Sequence, residues 1–155
     1  MPFIHLCLIL ATIVANPLMG NQEEATANSR ETTEIPLPEV REELLRRAEE
    51  DQKVRRQMTN DMAANLKLAA EVGKVDQENR EWLAPLIEKH GWLGKSKVGK
   101  DGAHAAWLLV QHADADRKFQ RKCLDLMTDL GPEEVQMSSV AYLTDRVLLA
   151  EGKPQ

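Results

Sequence analysis

"DGAHAAWLLVQHADAD", residues Asp101 to Asp116, decides how this chain is read: alanine, leucine and valine dominate, yet two histidines and a glutamine interrupt them. With Asp101 as N-cap, Gly102 takes the first helical position and His104 falls in the first turn. On a helical wheel of about 100° per residue with His104 at zero, Leu108 lies at about 40° and His112 at about 80°. Gln111 lies at about 340° and Asp101 at about 60° on the same wheel. Ala106, Leu109, Val110 and Ala113 fall between about 140° and about 240°. One side is wholly apolar, the other is mixed, and Trp107 stands at the border. The stretch therefore predicts a central helix with neighbours on every side. Its polar residues then face a cleft or an interior network, because buried polar groups need hydrogen-bond partners.

The histidines themselves are eight residues apart, a rise of about 12 Å, whereas two histidines sharing a metal along a helix stand at i,i+4. No metal site is expected from the pair. His112 with Asp116 does have i,i+4 spacing, and His90 could fold back from the preceding helix end, which leaves a mixed histidine and carboxylate site as an alternative. His104 oriented by Asp101 has the make-up of a general acid or base. The catalytic candidates are thus His104, His112 and Asp101, weighed against a purely structural network. No nucleophile elbow or Ser/His/Asp order accompanies them.

Upstream, "GWLGKSKVGKDG" invites comparison with a phosphate-binding loop, but Lys89 stands where that motif needs its first glycine and a helix precedes it. A solvated loop is expected, carrying the densest unopposed positive charge in Lys95, Lys97 and Lys100. From Glu39, apolar residues recur at Val40, Leu44, Ala48, Val54, Met58, Met62 and Leu66 and on to Val72, a helical stripe. It predicts one long helix or two with a break near Asn60, with the charged run "REELLRRAEEDQKVRRQ" as a solvated face. Gly73 is expected to stop it, and Asp76 to cap a second helix with Trp82, Leu83, Leu86 and Ile87 inward and a left-handed Gly91 at its end. Pro85 either kinks that helix or makes it restart near Leu83. Downstream, Phe119, Cys123, Leu126, Met127 and Leu130 form another amphipathic helix. Gly131 and Pro132 mark a turn, and Ser138 or Ser139 caps a last helix with Val140, Leu143, Val147 and Leu148 inward. The fold class expected is all-α, a small bundle of about four to five helices around a central buried one.

Composition agrees. Aromatic residues make up only 4% of the 155 residues, which favours helices over sheets. A formal net charge of −5 repels phosphate backbones, so no nucleic-acid partner is expected. The first twenty residues hold no Lys, Arg, Asp or Glu, and Leu6 to Ala15 form one apolar run of signal-peptide length. Residues 1–20 are expected to direct export, either cleaved or kept as an N-terminal anchor, with no other membrane contact. Residues 21–38 read as a disordered linker and 39–155 as a single helical domain. Cleavage would leave Cys123 alone, which excludes a disulfide framework and makes it a small core residue.

"HGWLGKSKVGKDGAHAAWLLVQHADAD", followed by "FQRKCL" and "AYLTDRVLLAEGKPQ" and preceded by "ELLRRAEEDQ", resembles an uncharacterised bacterial family, the domain-of-unknown-function 6624 family. Its members carry an HGWPG, DGA-x-AAWLLVQHAD, YLTDR and EGRPQ series. The resemblance spans Leu44 to Gln155 and implies a discrete helical domain, often in exported proteins, with no known activity. No cofactor is expected from the residues. Leu93 replaces the family's proline, which implies a less rigid loop, and Arg117 replaces another. The family's chains also continue past the "GKPQ" equivalent.

The function expected is an exported, non-catalytic module that binds a small molecule or protein through a cleft formed by His90, Trp92, Gln111, Tyr142, Asp145 and Arg146. The alternative is a hydrolase using His104 or His112 with Asp101, Asp114 or Asp116, with or without a metal. A third expectation is an oligomerisation element built on the Val40 to Val72 stripe. The first two require these side chains to meet.

Overall fold

Pro38 supplies the fixed φ that a first helical position favours, and the first helix, α1, runs Pro38–Arg55. The computed structural model describes residues 35–154. The export segment expected over residues 1–20 lies outside them, as does the expected linker up to residue 34. At the near end of that linker, the Leu37 amide donates to the Lys97 carbonyl at 3.0 Å, and Leu37 packs against the core.

Of the two readings of the long stripe, the structure has two helices. α1 ends at Arg55, and Thr59 with Asn65 braces the turn: the Thr59 amide donates to Asn65 Oδ1 at 2.9 Å, and Asn65 Nδ2 donates back to the Thr59 carbonyl. Asp61 then caps α2, Met62–His90, accepting from the Ala63 and Ala64 amides. The expected stop at Gly73 and the expected cap at Asp76 do not occur, because α2 passes through both. A lone helical glycine costs only about 1 kcal/mol, less than the packing on either side supplies. Pro85 also lies within α2, on its exposed side, where water can take up the carbonyl that a proline leaves unpaired. Gly91 ends the helix with φ 69°, as its sequence context implied.

The glycine and lysine segment differs most from expectation. It is part of α3, Lys95–Gln111, which is broken only at Gly99 with φ 73°. Only glycine accepts that φ readily, so helical geometry resumes at Lys100 and Asp101 sits inside the first turn instead of capping it. Lys95 Nζ donates to the Pro132 carbonyl and Lys97 Nζ to the Trp92 carbonyl, so both close loops instead of gathering anions. Leu93 is wholly buried, which anchors the segment that its missing proline suggested would be loose.

Asp116 caps α4, Arg117–Thr128, by accepting from the Phe119 amide. Arg117 is therefore the first helical residue, where the family's proline would also fit. After the Gly131–Pro132 turn, α5 runs Met137–Ala150 with Gln136 as N-cap residue, so Ser138 and Ser139 lie inside it and cap nothing.

Among the described residues the fold is all-α with five helices, and α3 packs against each of the other four. That is the central helix the opening stretch predicted. Ala105, Ala106, Leu109 and Val110 bury its apolar side among Leu44, Leu83, Ile87, Met127 and Leu143. Each fully buried leucine, isoleucine or methionine contributes about 1.5–3 kcal/mol. α1 approaches α3 where Gly102 leaves room: a Cβ there would lie 3.0 Å from Val98 Cβ and 3.2 Å from Arg41 Cγ. Cys123 is wholly buried, and burial pushes its thiol up to about 12, so it packs as an apolar residue. No helix among the described residues is long and apolar enough to cross a membrane.

Candidate ligand cleft at the end of the central helix

α3 ends at Gln111, and the next five residues, "HADAD", alternate polar and small side chains through the turn into α4. Each polar member reaches other elements. His112 meets Asp51 of α1, with Nδ1 3.0 Å from both carboxylate oxygens. Asp114 receives Arg146 of α5, through Nε at 2.8 Å and also through Nη2, and Gln120 Nε2 of α4 at 3.1 Å. Asp116 caps α4 and pairs with Arg80 of α2 at 3.3 Å. The turn thereby ties all four surrounding helices together.

Behind it lies a buried ionic network. Asp51 is 0% exposed, and Gln52 Nε2 donates to it at 2.9 Å. Arg55 Nη1 lies 2.9 Å from Asp51 as a contact of charge, since that nitrogen makes no hydrogen bond, while Nη2 donates to both oxygens of Asp76 at 2.8 and 2.9 Å. Burial alone would raise the Asp51 carboxyl, but His112, Gln52 and Arg55 together hold it below its ordinary value. Asp76 goes the other way, because burial outweighs Arg55 and raises it. Burial likewise acts to raise Asp114, yet Arg146 and Gln120 bring it net below the usual range. An ionised Asp51 only accepts, so His112 Nδ1 carries the proton and donates. That fixes the ring and leaves Nε2 without a partner among the described residues.

In front of the network opens a cleft of about 400 Å³ between α2 and the α3–α4 turn, lined among others by Gly73, Asp76, Arg80, His112, Asp114 and Asp116. Its volume is in the range of small-molecule sites. Asp51, Asp76 and His112 also offer ligand atoms all within 4.8 Å of one another, a metal-like grouping. Arg55 already pairs with both carboxylates, so a divalent ion would have to displace its guanidinium, and the set fits an ion-pair network better than a metal centre.

The candidate residues divide between two faces. His112 lines the cleft, and Arg146 reaches its edge by pairing with the lining Asp114. His104 is exposed elsewhere, its ring centroid 5.1 Å from that of Trp107, which in turn meets Tyr142 edge-on at 6.3 Å. It lines a separate depression with Trp92, Lys100 and Gln136. Asp101 does not orient it, because Arg41 takes that carboxylate, with Nε at 2.9 Å. His90 contributes its carbonyl to Lys97, and Gln111 contributes its carbonyl to Gln120 at 3.0 Å. Asp145 is exposed with no ion pair among the described residues, and Tyr142 is 67% exposed.

Asp51, Arg55, Asp76 and Arg80 are site residues that the sequence reading left in a solvated face (Asp51, Arg55), at a cap (Asp76) or unassigned (Arg80). One signal was present: Asp51 stands seven residues after Leu44 and three before Val54, on the apolar stripe itself, where a carboxylate needs a partner. Arg47 likewise turns inward, its guanidinium 4.7 Å over the Trp82 ring.

The model of one family, described as a family of unknown function (DUF6624), matches residues 38–155, the whole helical bundle with its cleft. No curated protein and no solved structure matches the chain. The match covers most of the sequence and carries the His112 to Asp116 turn with its partners on all four surrounding helices, so this chain belongs to the DUF6624 family.

Proposed function

We propose that this chain is an exported, non-catalytic binding domain that takes a small polar ligand in the cleft at the end of α3. The observation that carries the reading is the cleft itself, whose walls are held rigid by ion pairs to the surrounding helices before any ligand arrives. Prepositioned walls reduce the ordering cost of binding. Three carboxylates and one guanidinium line it, and His112 presents Nε2 as a further acceptor, so the ligand is an amine or a hydroxyl-rich neutral molecule rather than an anion. Export rests on the uncharged, apolar opening of the sequence and is checked by fractionating cells that express the full chain.

Calorimetric titration of the full chain and of His112→Gln with diamines, neutral sugars and dicarboxylates tests the binding reading. Saturable binding of an amine or sugar, at least tenfold weaker in the variant, is expected. Failure of the whole panel, or equal binding by both proteins, removes the reading. Turnover of a ligand by the wild type alone would replace it with the hydrolase alternative, His112 serving as base to a water.

A further inference from the structure

The first half of α2 has three distinct faces. With Met62 at zero, Asn65, Leu68, Val72 and Val75 lie at about 220–300° and face the bundle, half-buried. Lys67, Glu71, Lys74 and Glu78 lie at about 120–180° and form the charged, water-facing side. The third face, at about 340–80°, holds Met62, Leu66, Ala69, Ala70 and Gly73, all exposed and without a single charge. Met62 is 81% and Leu66 77% exposed, and a Cβ built on Gly73 would meet nothing within 4 Å. Large apolar groups gathered on one face, beside a face that already supplies the charge, mark an interaction surface.

The spacing Met62, Leu66, Ala69, Gly73 alternates four, three, four, the seam of a two-helix coiled coil. We infer that this face pairs with the same face of a second copy of the chain, antiparallel, about a two-fold axis between Lys67 and Leu68. Residue size is the reason for choosing that occupant. The seam runs from large to small, so antiparallel pairing sets Met62 against the partner's Gly73 and Leu66 against the partner's Ala69, keeping the helices evenly spaced. Parallel pairing would set Met62 against Met62 of the partner subunit and leave a gap at the glycine end. A two-fold axis requires this reciprocity, and the chosen register satisfies it at both ends. The inference does not depend on the ligand-binding reading.

The seam is only about 16 Å long, so the dimer is a weak one, dissociating in the range of tens to hundreds of micromolar. Light scattering and sedimentation of the full chain from about 1 μM to about 1 mM should show a reversible monomer–dimer equilibrium. Leu66→Glu should weaken it at least tenfold with an unchanged circular dichroism spectrum and melting temperature, since Leu66 touches little within its own chain. In a Cys7→Ser background, mixing Met62→Cys with Gly73→Cys should give more mixed disulfide than either variant gives alone. A strict monomer at the highest concentration, a dimer indifferent to Leu66→Glu, or preferential self-linking of Met62→Cys would each overturn the inference.

Discussion

Replacing Asp51 by alanine leaves the largely buried His112 Nδ1–H without its acceptor and part of the Arg55 guanidinium without its counter-charge. Breaking a buried pair from one side costs about 3–5 kcal/mol. Here Arg55 keeps Asp76 through two hydrogen bonds, so the lower end, about 3 kcal/mol, is expected. At about 4 °C per kcal/mol for a domain of this size, the melting temperature should fall by roughly 12 °C. Urea unfolding followed by circular dichroism at pH 7 gives the free energy directly, with Asp145→Ala, at an exposed position, as a control within about 0.5 kcal/mol of wild type. The effect should also depend on pH. The folded Asp51 carboxyl is held below its unfolded value, so its contribution is complete above about pH 4 and is lost as pH falls through the folded value. The gap between Asp51→Ala and wild type should therefore narrow steadily below about pH 4. A variant within about 0.5 kcal/mol of wild type at pH 7, or a gap that widens in acid, would refute the network.

Two glycine substitutions should have opposite signs. Gly73→Ala, at an open helical position, should stabilise the monomer by about 0.5–1 kcal/mol in urea unfolding. Gly102→Ala, pressed against Val98 and Arg41, should destabilise by about 1–2 kcal/mol even after the helical gain. Asp114→Ala should cost about 1 kcal/mol at pH 7, discounted because the Asp114–Arg146 pair is partly exposed, and progressively less in acid as its lowered carboxyl protonates. Cys123 should resist a thiol-specific reagent in the folded chain at pH 8 and react promptly in urea, as followed by absorbance.

The stretch Asp101 to Asp116 carried much of the architecture. An apolar face that continues around most of a helix forces it to the centre of the bundle, and α3 is there. Periodicity also set the inward faces of α4 and α5. Boundaries were harder to read wherever a local signal met tertiary packing: Gly73 and Asp76 look like a stop and a start, but both lie inside α2. Gly99, not Asp101, breaks the polypeptide before the central helix, because a positive φ interrupts helical geometry more decisively than a side-chain cap can start it. The site was half legible. His112 and Arg146 were named, yet the residues that hold the turn in place come from α1 and α2, 61 and 36 residues away in the chain, and no spacing rule links such positions. Asp51 was hidden within a charge run because its one unusual property, standing on the apolar stripe, shows only when charge and periodicity are read together. His104 illustrates the converse, since a histidine prominent in sequence lies beside Trp107 on the surface with its supposed Asp101 partner held by Arg41.

That the turn from His112 to Asp116 forms a ligand cleft with α2 is tested most directly by amide chemical-shift mapping on the isotopically labelled chain during titration with the amine and sugar panel. The shifts for at least one ligand should concentrate at Gly73, Asp76, Arg80 and the His112–Asp116 turn, and leave His104 and Trp107 still. Shifts confined to the His104 and Trp107 face, or none across the panel, would contradict the cleft.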